Sequence, residues 1–516
     1  LFLTALPLLW GWLNTPPGQE FTGFLFNAND GNTYLAKMAE GRQGSWVFHL
    51  AHTSEQGGDG AITYVFYLLL GKLAGLLHLS NILIFHLARL AAGLFLLLVS
   101  YRFIKLLFVD QLQQRFAFRL VCLSAGLGWA LIIVNPTPPD FWVAEGYTFQ
   151  SIFANPHFPL ATALLILTIT EVLLAMEGRG RVSYFKAALA SFCLGFVHPF
   201  LLFSLAGILG LFWLRLTLHN RRINWPSFVA LILVGLAGVP GPFLTWWGTE
   251  HDPLLKQWMQ QNQTVTLDPL TTIGGYGLLI PLALAGVWWV ERILPHQNQR
   301  EKYPQQRWWL VTGWLFITVI LLALPLNFSR RFVEGLHLPL CCLATAGYYQ
   351  LLTKSNQYRL KEKLLVFVLS LSSLALVVLS IVLLYLPPDN ILDPVRSPYL
   401  SQGEVRAIAW LSQNSQPSEI IITGPVLGNV LPGRVLRPVF YGHSMETIDA
   451  DHKFKLLKEF FDKNTSNLAR QQFISTWDLK YLVYGWREQR FGGFDPALAA
   501  WPVVYNQAGV RIYLLS

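Results

Sequence analysis

Charge is scarce in this 516-residue chain: Asp, Glu, Lys and Arg make up 13% of it, against roughly 25% in an ordinary soluble domain. That shortage excludes a large soluble protein. The 53% hydrophobic content and mean hydropathy of +0.42 point instead to a polytopic membrane protein. Cysteine is nearly lacking as well. Cys122, Cys193, Cys341 and Cys342 all fall inside apolar stretches, so no disulfide framework is implied for the polar tail. No Cys-x-x-Cys or His/Cys spacing signals structural zinc. The run from Gly424-Pro425 to Gly428-Asn429 lacks the Gly-Lys-Ser/Thr ending of a phosphate loop, and no tandem repeat is visible. The net charge of +9 requires no nucleic acid as partner. Its basic residues cluster between apolar runs, as the positive-inside rule expects of cytoplasmic loops.

What is present is a succession of apolar runs. The first, residues 1–13, is short for a span, which needs about 20 residues. Because the chain opens at Leu1 without Met, the expectation is a membrane helix truncated in front, with a signal peptide as the alternative. Residues 14–60 are polar and rich in Gly, Pro and amides, and carry Trp46, Phe48, His49, His52, Glu55 and Asp59. The apolar stretch 61–79 is interrupted by Gly71, Lys72 and Gly75. Charge decides its placement. The run 81–108 spans and ends at Arg102 and Lys105, with Arg115 and Arg119 following, so that end is cytoplasmic. With the first loop outside, 61–79 cannot also span and reads as juxtamembrane. The first outer loop therefore covers residues 14–80.

Further spans are expected at 120–134, 159–176, 226–246, 271–290, 308–326, 332–349 and 364–386. Two more, 185–197 and 200–216, form a pair broken at His198-Pro199. Outer loops cover 135–158 and 247–270, and the densest basic loop is 292–307. The total is about 11 transmembrane helices by the length and charge rules. One basic pair, Arg330-Arg331, sits on the outer side against the rule, and two guanidiniums held there need anionic partners. After the breaker Pro387-Pro388-Asp389, the character changes. Residues 404–412 and 451–463 have helical periodicity, while 420–423, 482–484 and 510–513 read as short strands. The expected fold is thus an all-α polytopic membrane domain over 1–386 and a small extracytoplasmic α/β domain over 387–516.

The stretch that organises the chain is Asn27-Ala28-Asn29-Asp30-Gly31-Asn32-Thr33-Tyr34, in the first outer loop. It sets a carboxylate, several amides and a phenol beside the membrane, just before the apolar helical run Tyr34-Leu35-Ala36-Lys37-Met38. The plain reading is that Asp30 or Asn32 caps a helix.

The chain resembles the GT-C superfamily, integral-membrane glycosyltransferases that use polyprenyl-phosphate-linked sugars. The residues that carry the resemblance begin with Asn29-Asp30-Gly31-Asn32-Thr33-Tyr34-Leu35-Ala36, followed by Tyr64-Val65-Phe66-Tyr67-Leu68-Leu69-Leu70-Gly71. Then come His86-Leu87-Ala88-Arg89-Leu90-Ala91-Ala92-Gly93 and Ser329-Arg330-Arg331-Phe332-Val333-Glu334-Gly335-Leu336-His337-Leu338-Pro339. Within the superfamily the likeness is to the protein mannosyltransferase and aminoarabinose transferase kind. The Trp-Trp-Asp-Tyr-Gly signature of oligosaccharyltransferase catalytic subunits is not found, and Asp30 stands between Asn29 and Gly31 rather than in an acidic pair. The resemblance implies sugar transfer from a lipid-linked donor at the outer face of the cell membrane. It leaves the acceptor, whether protein, lipid or glycan, unspecified.

Such a transfer needs a base on the acceptor hydroxyl and stabilisation of the departing phosphate. Asp30 suits the base. Arg330 and Arg331 suit the phosphate, since guanidinium forks match phosphate oxygens and stay charged when desolvated; the alternative is snorkelling to lipid headgroups. Glu145 lies among aromatics in Asp140-Phe141-Trp142-Val143-Ala144-Glu145-Gly146-Tyr147, where it would orient an acceptor, assist a metal or simply be solvated. His157 and His198 either bond a phosphate or sugar hydroxyl or are satisfied helix-end histidines. Tyr34 and His337 join the substrate-binding set through the matched motifs. In the tail, His443 and Glu446 of Tyr441-Gly442-His443-Ser444-Met445-Glu446-Thr447 are candidates for contact with the acceptor. His49, His52 and Asp59 have no diagnostic metal spacing. No metal or other cofactor is assigned, although a divalent metal stays open. The competing function is a transporter or flippase of lipid-linked sugars, which broken helices would suit. Against it, charges within the spans are scarce: Glu171, Lys186 and Glu291 are isolated or near ends.

Overall fold

A membrane interior offers no partner to a bare peptide group, so apolar segments there close their hydrogen bonds within helices. The structure, a computed structural model, describes residues 1–133, 137–294, 302–352, 358–385 and 397–515. Asn135, the centre of the basic loop 292–307, Lys354 and Pro387-Pro388-Asp389 lie outside the described residues. Among the described residues, five helices are long and apolar enough to cross a membrane: Asn81–Leu107, His157–Gly178, Leu201–Asn220, Gln305–Ala323 and Arg359–Val382. Two bent helix pairs bring the number to as many as seven. The chain divides into two compact units. One gathers Leu1–Thr4, Leu87–Phe243 and Gln263–Val378; the other gathers Ala5–His86, Leu244–Asn262 and Leu379–Ser516.

The first unit is helical, with a core that includes Phe103, Phe212, Trp314 and Leu343. Its helices approach closely where a side chain is missing. A Cβ on Gly286 would lie 2.0 Å from the Leu343 carbonyl oxygen, and one on Gly347 would lie 2.0 Å from that of Leu282. This is the small-residue packing of membrane helices. The helix Arg181–Val197 stops at His198-Pro199 and the next begins at Leu201, as the proline dictates. Ion pairs neutralise the charges near helix ends: Arg102 with Glu171 at 2.6 Å, and Arg215 with Glu291 at 2.6 Å.

Three expected spans are shaped differently. Residues 120–134 are not one helix. Asp110 caps a helix Gln111–Leu123, accepting from the N–H groups of Leu112 and Gln113, and a separate short helix runs Gly128–Leu131. Between them the buried Asp140 carboxylate accepts from the N–H groups of Gly126 at 3.1 Å and Gly128 at 2.9 Å, which holds the backbone out of the helix. The run 271–290 is bent by 88° between Pro269–Tyr276 and Leu279–Ile293, where Gly277 takes a φ of 52°. The run 226–246 is bent by 42° between Trp225–Gly238 and Pro240–His251.

The second unit joins the first loop to the tail. The helices Ala28–Arg42 and Val65–Leu76 pack backbone to backbone: a Cβ on Gly41 would lie 2.0 Å from the Leu68 oxygen, and one on Gly71 would lie 1.9 Å from the Met38 oxygen. Val65–Leu76 has 12 residues, fewer than the ~20 a span requires. Strand β1 (Gln19–Phe21) pairs antiparallel with β2 (Tyr399–Ser401). Ser401 then opens the helix Gln402–Asn414 with a capping box to Glu404. Strands β3 (Ile420–Ile422), β4 (Leu479–Tyr484), β5 (Val503–Gln507) and β6 (Val510–Leu514) form one sheet in the order β3-β4-β6-β5. β3 and β4 are parallel, and the other pairs are antiparallel. Three of these strands, and the tail helices Gln402–Asn414 and Ala450–Phe461, coincide with the periodic stretches of the sequence, whereas Pro425–Val435, Asn467–Thr476 and Trp486–Gly492 do not. Strands β1, β2 and β5 are too short or too exposed to show a pattern. An apolar cluster of Phe48, Leu50, Ala61, Leu255, Trp258 and Ile448 ties the loop, the helix Pro253–Gln261 and the tail together.

Candidate functional site

In the second unit, Asn27 adopts a left-handed φ of 52° and turns the chain into the helix Ala28–Arg42, with no side-chain cap. Asp30 falls in the first turn, where unpaired N–H groups and the helix dipole favour a carboxylate. It is not the N-cap. Its Oδ2 accepts from the Asn27 amide at 3.0 Å, and its Oδ1 lies 3.2 Å from His443 Nε2. The side chain is 42% exposed, whereas that of His443 is 6% exposed. Gly31 is required beside it, because a Cβ there would lie 2.5 Å from the Phe24 ring. Asn32 donates to Asn429 Oδ1 at 2.8 Å, and Asn429 donates in turn to the Asn29 carbonyl at 3.2 Å.

One and two turns on, Tyr34 stacks on Tyr67, with ring centroids 4.2 Å apart and planes 10° apart. Lys37 is almost wholly buried. Its ammonium bonds Glu446 at 2.5 Å and lies over the rings of Tyr64 at 4.5 Å, Phe48 at 5.0 Å and Tyr34 at 5.2 Å. His52 Nε2 donates to the Asn429 carbonyl at 3.1 Å, and His52 Nδ1 faces Glu446 at 3.3 Å. Burial pushes the Glu446 carboxyl up, but the Lys37 ammonium bonded to it outweighs burial and holds the group below the usual carboxylate range. His52 is pulled below the ordinary histidine range by burial. Four of the residues singled out from the sequence (Asp30, Tyr34, His443 and Glu446) therefore share one network. Lys37, His52 and Asn429 complete it; the sequence pointed to His52 only as one of a possible metal set and gave Lys37 and Asn429 no role. A lysine inside an apolar helical run was the available signal for the first of them, since such a charge requires a buried partner.

In the first unit, Glu145 sits in the turn Ala144–Gly146, 7% exposed, with Arg330 Nε at 3.3 Å and Arg331 Nη1 at 3.8 Å. One carboxylate thus faces two guanidiniums. The Arg330 guanidinium also lies over the Trp142 ring at 5.0 Å, and its backbone N–H donates to the Thr264 carbonyl at 3.0 Å. His198 Nδ1 lies 2.6 Å from Glu334 Oε2, and Thr162 donates to the other oxygen of Glu334 at 3.3 Å. The His157 ring is 5.8 Å from that of His198. His337 has both ring nitrogens engaged: Nδ1 accepts the Thr148 N–H at 3.4 Å, which leaves Nε2 to donate to Ser124 Oγ at 3.2 Å. Glu334 and Thr162 were not singled out from the sequence. His49 bonds Glu40 at 3.2 Å, apart from the partners of His52. Among the described residues, no group of three or more His, Cys, Asp or Glu side chains is arranged to hold a metal ion.

No family profile and no curated protein matches the chain. Solved structures do match. The oligosaccharyltransferase of Archaeoglobus fulgidus, tethered to an acceptor peptide containing the NVT sequon, superimposes with a TM-score of 0.51 at 12% identity over 100% of this chain and 74% of that one. ArnT from Cupriavidus metallidurans, bound to undecaprenyl phosphate, gives 0.51 at 11% identity over 100% and 97%. Both are GT-C membrane glycosyltransferases, and the chain has their fold, apolar membrane helices followed by a small C-terminal domain with a sheet.

Proposed function

We propose that this chain, with its GT-C membrane fold, transfers a sugar from a polyprenyl-phosphate donor to an acceptor hydroxyl at the outer face of the cell membrane. Residues 1–386 are the membrane domain and 387–516 the extracytoplasmic domain. The observation that carries this reading is the full-length likeness to a structure bound to undecaprenyl phosphate. Asp30 takes the acceptor proton as the acceptor oxygen bonds to the anomeric carbon. The bond from that carbon to the phosphate oxygen breaks, and its electron pair leaves with the lipid phosphate. Arg330 and Arg331 receive the charge that develops there. Glu145, which faces both guanidiniums, fixes their direction. His157 and His198 bond a phosphate oxygen or a sugar hydroxyl.

The half-exposed carboxylate supports the role of Asp30, because a base must reach the acceptor as well as its own supports. The test uses an undecaprenyl-phosphate-linked hexose and the purified protein, measuring release of undecaprenyl phosphate. Asp30→Asn is expected to lower turnover by about 10² to 10⁴-fold while leaving the thermal midpoint in place. Full activity in that variant would remove Asp30 from the role of base. Wild-type protein that carried the probe across a vesicle bilayer without cleaving it would replace transfer by transport.

A further inference from the structure

We propose that His443 is a positioning residue for Asp30: the tail supplies a neutral imidazole whose Nε2–H holds one edge of the carboxylate and keeps it ionised. This rests on the reading of Asp30 as the base. The tautomer follows from the hydrogen bonds. The Met445 backbone N–H donates to His443 Nδ1 at 3.1 Å. A neutral ring with Nδ1 as acceptor carries its proton on Nε2, and Nε2 is the atom 3.2 Å from Asp30 Oδ1. With Nδ1 accepting, it is Nε2–H that faces the carboxylate. His443 therefore acts as a hydrogen-bond donor, not as a proton relay, and the acceptor's proton stays on Asp30.

The turn that presents the ring is closed on itself. The N–H groups of Gly442 and His443 donate to Thr447 Oγ1 at 3.1 and 3.2 Å, and Thr447 Oγ1 donates to the His52 carbonyl at 2.6 Å. The N–H of Thr447 returns to the His443 carbonyl at 2.8 Å. Such a turn fixes one buried ring against one half-exposed carboxylate.

Neighbouring elements bring further charged and polar groups close to the pair. Lys37, on the helix of Asp30, is paired with Glu446 from the turn of His443 at 2.5 Å. His52, from the first loop, has its ring 6.5 Å from that of His443. The helix Pro425–Val435 contributes the neutral Asn429, and its Arg434 is paired with Glu20 at 2.9 Å. A donor to the ionised form of a carboxylate lowers its pKa, so loss of the donor raises it.

The experiment labels carboxyl groups of the purified full chain with a water-soluble carbodiimide and glycine ethyl ester across the acidic range. Peptide mass spectrometry then reads the pH midpoint of labelling at Asp30. His443→Met fills the space without a donor, and His443→Gln sets a neutral amide near the place of Nε2. The midpoint is expected to rise by about half to one pH unit in His443→Met and to stay near the wild-type value in His443→Gln. Should His443→Met fail to fold, His443→Asn, whose amide is too short to reach, takes its place. With the undecaprenyl-phosphate-linked hexose as probe, the acidic limb of kcat/KM should move by the same amount. An unmoved midpoint beside an inactive Asp30→Asn would overturn the positioning role and leave the base standing. A fully active Asp30→Asn would overturn both, whatever the midpoint does.

Discussion

Lys37 and Glu446 have 1% and 8% of their side chains exposed, and a charge so dry is held in place by its partner. Breaking a buried pair from one side costs about 3–5 kcal/mol, whereas replacing both members with apolar groups costs much less. Lys37→Met is therefore expected to lower the thermal midpoint sharply, and Lys37→Met with Glu446→Leu to recover most of the loss, read by unfolding in detergent. The same pair sets a pH dependence. The folded pKa of Glu446 lies below the ordinary 4.5, so its contribution is complete above that value and is lost as pH falls toward the folded pKa. Acidification below about 4.5 should destabilise wild type more than Glu446→Gln. At this scale the sequence was partly legible. Arg330-Arg331 stood out because two cations broke the sidedness of the charges, and Glu145 stood out among its aromatics. That the three share one ion-pair cluster depends on packing between turns that lie far apart in sequence. Asp30 drew notice by residue type and place, but its bond to His443 was not legible, because nothing in a local window links a loop to a distant turn.

Elements were legible where a single residue forbids the alternative. Proline ends the helix at His198-Pro199, and the long run 81–108 is a helix to within a residue. They were not legible where tertiary bonds decide. The gap after Leu123 exists because Asp140 captures two glycine N–H groups, and apolar side chains on either side give no sign of it. Helix pairing was also hidden, because a glycine in an apolar run looks like a weak point until its neighbour is known. In Val65–Leu76, Gly71 lets the Met38 carbonyl approach to where a Cβ would be 1.9 Å away. Gly71→Ala must push the two backbones apart. It is expected to destabilise the protein by about 1–3 kcal/mol, with the change read as a lower thermal midpoint, while Gly210→Ala, in open space, leaves that midpoint unchanged.

For the whole molecule, composition and hydropathy sufficed to give membrane helices with a small α/β end, because lipid permits few alternatives. The number of crossings is less visible, since bent pairs and short apolar helices pass or fail a length rule by a few residues. A sharper consequence concerns sidedness. β1 pairs with β2, and the 48–61 loop packs on Ile448, so residues 14–60 and 397–515 lie on one side of any bilayer. Protease added to sealed vesicles should cut both segments or neither. Cleavage of one with protection of the other would break the pairing on which the second unit rests. That pairing also sets a clock. Asn32 and Lys37 find partners 397 and 409 residues later in the chain, and His443 arrives with them. During synthesis the carboxylate at Asp30 emerges early, while its imidazole, its neighbouring amide and the mate of Lys37 emerge only near the end. A chain interrupted before the tail would hold Asp30, Asn32 and Lys37 without the His443, Asn429 and Glu446 that bond them.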